Sequence, residues 1–302
     1  MLHPLLWVPF TAVAAATQVV RNGAQASLTG KIGTLGATQV RFVYGLPFAA
    51  LFLAAVLVVA GARVPPFGPA SLAWTVTGAI CQIVGTAMML VVMGRRAFGV
   101  AYAYIKTEPV IVALLGVALL GDHLPLLAWL AVGMVTAGVL IVSVKPGEYS
   151  ALFGEGGMIM AGIVSGALFG LSSIAFRGAI EALPEGGFLI RSLSVLVLTL
   201  TVQTFLLGGW LALRNRPAFI GSLREWRESL GAGFMGALSS ACFFTAFALT
   251  PAANVRTLAL VELPMAAMLS GRLSGKVLAR HEFAGMALVL TGVAVLLGSY
   301  AA

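Results

Sequence analysis

The chain has little of what soluble chemistry uses: of its 302 residues only 9% are charged, two are cysteine and three are histidine. Cys81 and Cys242 lie deep in apolar runs and cannot build a disulfide framework, so they read as small packing residues. His3, His123 and His281 fall at the ends of apolar runs, without an HExxH spacing or a Cys/His cluster, which excludes the common zinc patterns. The pairs Gly30-Lys31 and Gly275-Lys276 lack the flanking residues of a phosphate-cradling loop, and no Ser-His-Asp set or paired catalytic Asp is legible. The chain therefore reads as neither an ATP-driven pump nor an enzyme. Its net charge of +8 comes without a basic run interleaved with aromatics. The arginines sit in short loops between apolar spans, a placement that serves membrane orientation and not nucleic acid.

What the sequence does have is apolar surface, with 60% of its residues hydrophobic. A soluble domain could not cover that surface with polar groups. A helix crossing a hydrocarbon core of about 30 Å needs roughly 20 apolar residues. Ten such spans are predicted, over 4–27, 34–60, 70–93, 98–120, 124–144, 156–178, 187–213, 229–250, 253–273 and 281–300. The first is kept as a span because only His3 precedes its apolar run, where a cleaved signal would carry a basic segment. The expected class is an all-α polytopic membrane protein.

The sequence also resembles itself. A shift of about 154 positions, the kind of search that exposes internal repeats, carries Glu108 onto Glu262, Gly121 onto Gly275, Trp129 onto Phe283 and Gly138 onto Gly292. The Gly- and charge-rich stretch 145–157 leaves five spans on each side, giving units 1–148 and 149–302. Repeats with an odd number of crossings enter the membrane from opposite sides, so the expectation is two inverted five-helix repeats, an arrangement shared by many secondary transporters.

An ionisable residue inside a membrane span is costly and normally faces the protein interior. Alternating crossings put Arg21, Arg41, Lys106 and Glu108 toward one face, and Arg177, Arg191, Arg256 and Glu262 toward the other. Each carboxylate then has basic partners within its own repeat. Two readings stay open: static clasps between spans, or gates that close one face while the other hydrates. Glu108 and Glu262 are also the natural proton acceptors if transport is proton-coupled. Between the two layers, Gln18, Gln82, Thr86, Tyr102, Tyr104, Ser172, Ser239 and Phe243 offer the mixture of apolar walls and sparse polar groups that suits a small amphipathic solute, set against ordinary helix packing. Gly162, Gly166 and Gly170 let the sixth span approach a neighbour closely.

The fourth and fifth spans share a pattern: a Pro-containing helix, a turn Leu120-Gly121-Asp122, and a final Gly-rich helix in LLGDHLPLLAWLAVGMVTAGVLIV over 119–142, echoed at 273–297 with Ser274-Gly275-Lys276 at the turn. This pattern resembles the drug/metabolite transporter superfamily, EamA type, over essentially the whole chain. The resemblance implies paired five-helix halves, the bacterial inner (plasma) membrane, and export of amino acids, other metabolites, sugar conjugates or toxic organic cations. It also implies cytoplasmic termini, whereas the count of loop Lys and Arg, from Lys31 through Arg214 and Arg216 to Arg280, puts the termini outside.

The function expected is a secondary transporter exporting small amphipathic metabolites such as amino acids or related compounds by alternating access. The alternatives are an exchanger or importer of anionic metabolites and, in another class, a membrane enzyme or structural membrane partner. Basic residues outnumber acidic ones in the spans, which favours a carboxylate-bearing or zwitterionic solute. No cofactor or metal is expected, with proton coupling left open. The expected partners are the solute and the lipid bilayer, with a homodimer left open.

Overall fold

The computed structural model of the chain describes residues 4–95, 108–143, 147, 156–265 and 279–300. All regular structure among them is helical. In chain order the helices are α1 (Trp7–Val43), α2 (Gly45–Ala60), α3 (Pro69–Arg95), α4 (Glu108–Leu115, running into a π turn over Gly116–Leu120), α5 (Leu126–Ser143), α6 (Gly156–Glu181), α7 (Phe188–Arg214), α8 (Arg216–Arg224), α9 (Trp226–Phe247), α10 (Ala252–Ala259) and α11 (Arg280–Gly298). Among the described residues seven helical stretches are long and apolar enough to cross a membrane, and Glu108–Leu120 is a shorter apolar one. The chain is an integral membrane protein on that ground. The expected spans at 98–120 and 253–273 fall partly outside the described residues.

One boundary differs from expectation. Residues 28–33 were to be a loop between the first two spans, but helix continues through them and is broken only at Gly33, with φ 72° and ψ 168°. That combination is open essentially to glycine alone. A single residue therefore does the work of a loop. The Leu120-Gly121-Asp122 turn is likewise compact: Gly121 takes the left-handed conformation at φ 68°, and the Asp122 amide donates to the Gly116 carbonyl at 3.1 Å.

The helices cluster into two compact units, each drawing on both halves of the sequence. Unit 1 comprises residues 1–8, 84–174 and 250–302. Its main packing is α5 against α11, with α4 and α10 joined to each other and to α5. Glycines set that distance: a Cβ on Gly138 would lie 2.7 Å from the Gly285 carbonyl oxygen, and one on Gly292 would lie 3.2 Å from that of Ala131. The two contacts progress in opposite directions along α5 and α11, so the helices are antiparallel. Gly170 of α6 lies against Val112 and Ile111 of α4, as the small-residue stripe predicted.

Unit 2 comprises residues 9–83 and 175–249, with α2 packed on α7 and α9 on both. Here Gly233 of α9 meets the Tyr44 backbone and Gly178 of α6 meets the Trp74 ring. Aromatic pairs fill the space between helices, including Phe176 with Phe244 at 4.7 Å and Phe48 with Phe234 at 5.3 Å between ring centroids. Cys81 and Cys242 are buried thiols, as their apolar settings predicted.

Candidate functional site

Glu108 opens α4 and is only 4% exposed. Its partner is Arg256 of α10: Nε donates to Glu108 Oε1 at 2.5 Å and Nη2 contacts the same oxygen. Charges taken out of water are costly, and pairing at hydrogen-bond distance is what makes such burial tolerable. Both residues belong to unit 1.

This pair crosses the sequence-based grouping, which set Arg256 beside Glu262 and Glu108 beside Arg21, Arg41 and Lys106. That grouping assumed that charge clusters repeat with the fold. The shift that carries Glu108 onto Glu262 carries Tyr102 onto Arg256, so the second repeat has a cation where the first has a phenol. The ion pair therefore links residues from the two halves of the sequence. Glu262 is also 4% exposed and lies in unit 1. Tyr102, Tyr104 and Lys106 lie outside the described residues.

Arg177 has a local partner. Its Nε donates to Glu181 Oε1 at 2.7 Å, an i,i+4 pair at the C-terminal end of α6 with Glu181 46% exposed. Such local pairs contribute a few tenths of a kcal/mol to a helix, roughly 0.2–0.5. Arg191, in the first turn of α7, has a buried Nε without a hydrogen-bond partner among the described residues.

The structure brings Arg21 and Arg41 together in unit 2. Arg21 is 5% exposed, with Nη2 donating to Asn22 Oδ1 at 2.9 Å and to Gln18 Oε1 at 3.2 Å. Arg41, in the last turn of α1, holds its guanidinium carbon 5.8 Å from the Phe42 ring centroid. Both stems lie against Gly236 of α9: a Cβ there would sit 3.3 Å from Arg21 Cδ and 3.8 Å from Arg41 Cγ.

The candidate solute-binding residues divide. Gln82 accepts from Gln203 Nε2 at 2.7 Å, and Gln18 accepts from Arg21, so both belong to polar networks. Thr86 is buried in unit 1. Ser172 bonds back to the Phe169 carbonyl within α6 at 2.8 Å, and Ser239 donates to the Ala14 carbonyl at 2.9 Å, tying α9 to α1. Phe243 stacks on Phe247 at 6.3 Å between centroids. The last three have packing roles in this structure.

Two polar groups were missed. Gln203 is fully buried on α7, and the signal for it was present: a lone amide in the apolar run LTLTVQTFLL. Asn254 of α10 donates to Tyr300 Oη at 2.6 Å, and the Thr250 and Tyr300 hydroxyls lie 2.7 Å apart, which joins the start of α10 to the end of α11. Tyr300 sits at the chain terminus, where sequence offered no reason to expect a buried partner. Among the described residues no group of three or more His, Cys, Asp and Glu side chains could hold a metal ion.

No protein-family model matches this chain, and no curated protein sequence does. Solved structures do match: one, titled only as the crystal structure of a protein, has a TM-score of 0.69 at 14% identity, covering 95% of this chain and 96% of that one. At that identity the likeness concerns the fold alone, and it extends over nearly the whole of both chains.

Proposed function

We propose that this chain is a secondary transporter of the drug/metabolite transporter type, exporting small amphipathic metabolites such as amino acids or related compounds across a bacterial inner membrane. Ten spans in two inverted five-helix repeats alternate access to the solute. The observation that carries this reading is the buried Glu108–Arg256 pair between two helices of an apolar, all-helical chain. An ion pair of this kind has two stable arrangements, closed when the helices meet and hydrated when they part, which is what a gate requires.

The repeat relationship has its own support. The shift that carries Glu108 onto Glu262 also carries Leu126, which opens α5, onto Arg280, which opens α11. Under it the contact of Gly138 with Gly285 becomes that of Gly292 with Ala131, and both are close approaches. Corresponding helices that pack antiparallel across exchanged contacts are what a two-fold axis in the membrane plane produces.

The test is solute movement in proteoliposomes loaded with labelled amino acids, organic acids and organic cations, with and without a pH gradient. Wild-type protein moves at least one solute, and Glu108→Gln and Arg256→Gln slow that movement at least about tenfold, equivalent to about 1.4 kcal/mol in the barrier. A wild-type protein that inserts correctly and moves none of them overturns the proposal.

A further inference from the structure

We infer that α8 and the arginines flanking it form a surface for the headgroups of anionic phospholipids. This assignment goes beyond the transporter reading and does not depend on it.

α8 is nine residues long, Arg216–Arg224. At 1.5 Å per residue it reaches about 14 Å, too short to cross a bilayer. It joins α7 to α9, two helices that are long and apolar enough to cross, and a connection between two spans belongs at the membrane boundary.

One face of α8 is fixed to the protein. Ala218 and Ser222 are buried, a Cβ on Gly36 of α1 would lie 3.2 Å from the Ala218 carbonyl oxygen, and one on Gly221 would lie 2.9 Å from Ile32 Cγ2. Both ends are held as well: Asn215 Oδ1 accepts from the Ala218 amide at 3.3 Å, and Tyr44 Oη donates to the Leu223 carbonyl at 3.0 Å.

The opposite face is open, with Arg216, Ile220, Leu223 and Arg224 exposed at helical spacing. Arg214 before it and Trp226 and Arg227 after it are exposed too, and the Arg227 guanidinium carbon stands 5.3 Å from the Trp226 ring centroid. Apolar side chains and a tryptophan set beside cations suit an interfacial helix, because the first enter the acyl boundary while the second stay among the headgroups. Arg214, Arg216, Arg224, Arg227 and Lys31 stand against Glu225 and Glu228, with Glu228 paired to Lys31 at 2.6 Å. The patch is positive on balance. That sign favours an anionic lipid over a zwitterionic one, and the planar fork of arginine matches two phosphate oxygens better than a lysine does.

The experiment uses the purified full chain in mixed micelles of a neutral detergent with phosphatidylglycerol or phosphatidylcholine, and reads the Tm. Phosphatidylglycerol stabilises the wild type at a lower lipid fraction than phosphatidylcholine does, and inorganic phosphate alone does not stabilise it. Raising the ionic strength from about 0.01 to about 1 M, which shortens the screening length from roughly 30 to 3 Å, narrows the difference between the lipids. Arg216→Gln, Arg224→Gln and Arg227→Gln each weaken the phosphatidylglycerol effect about fivefold, the scale of one charge at a membrane surface, and the triple variant loses the preference. A second measurement reads tryptophan emission: phosphatidylglycerol with brominated chains quenches more than its phosphatidylcholine counterpart, and the excess shrinks in Trp226→Phe. Equal stabilisation by the two lipids, a triple variant that keeps the full preference, or an excess quenching unchanged in Trp226→Phe overturns the inference. Stabilisation by inorganic phosphate to the same extent as by phosphatidylglycerol would mark a site for soluble anions and overturn it equally. A wild type that binds phosphatidylglycerol in this way yet moves no solute would leave the surface standing and sink the transporter reading alone.

Discussion

Gly138 of α5 and Gly285 of α11 lie backbone to backbone: a Cβ on Gly138 would stand 2.7 Å from the Gly285 carbonyl oxygen, and one on Gly285 would stand 2.6 Å from that of Gly138. Backbone cannot rotate aside as a side chain can, so any added carbon must push the helices apart. In a membrane, where lipid is as apolar as Leu, close packing of small residues supplies much of the helix association. Gly138→Ala and Gly285→Ala are each expected to cost about 1–3 kcal/mol, the usual range for overpacking. Gly133→Ala on the same helix meets nothing within 4 Å and is the control, with an unchanged or raised Tm. Equal melting of all three would refute the close approach.

The Glu108–Arg256 pair makes a prediction about stability separate from transport. Removing one partner of a buried pair leaves the other charge uncompensated, at about 3–5 kcal/mol, whereas removing both can be nearly neutral. Glu108→Gln and Arg256→Gln should each lower the Tm, and the double variant should recover part of the loss. A double variant no more stable than the worse single one would show that the two charges do not compensate each other.

At Gly33 the restriction is conformational, since a Cβ there meets nothing within 4 Å but φ is 72°. Gly33→Ala forces a side chain into a backbone region that costs about 1–3 kcal/mol. Gly30→Ala, equally open and without a positive φ, tests the distinction on the neighbouring turn. Thermal unfolding should separate the two, with only Gly33→Ala destabilised.

The Gln82–Gln203 amide bond at 2.7 Å connects α3 to α7 inside unit 2. Hydrogen bonds between membrane helices contribute about 0.6 kcal/mol on average and at most about 2. Gln203→Leu should therefore lower the Tm only slightly, and a Gln82→Leu/Gln203→Leu pair should show a coupling of about 1 kcal/mol or less in a double-mutant cycle. Coupling well above that would mean that the amides belong to a larger polar network.

By itself the sequence determined the membrane class and most of the helix boundaries. The expected span 70–93 is α3 at Pro69–Arg95, 187–213 is α7 at Phe188–Arg214, and 281–300 is α11 at Arg280–Gly298. These follow from hydrophobicity along a continuous stretch, a property that each segment carries without reference to any other. Gly33 was not legible as a break, because a glycine with positive φ looks in sequence like any of the chain's 36 glycines. The tertiary structure alone decided which charges meet. Glu108 and Arg256 are 148 residues apart, and Arg21 and Arg41 converge on Gly236, so no local pattern links them. The sequence self-similarity was the one long-range signal, and it did not point to the ion pair because the shift that aligns Glu108 with Glu262 sets Tyr102 against Arg256. A span depends on hydrophobicity summed along one segment, whereas a salt bridge depends on the identity of two particular side chains brought together by the fold.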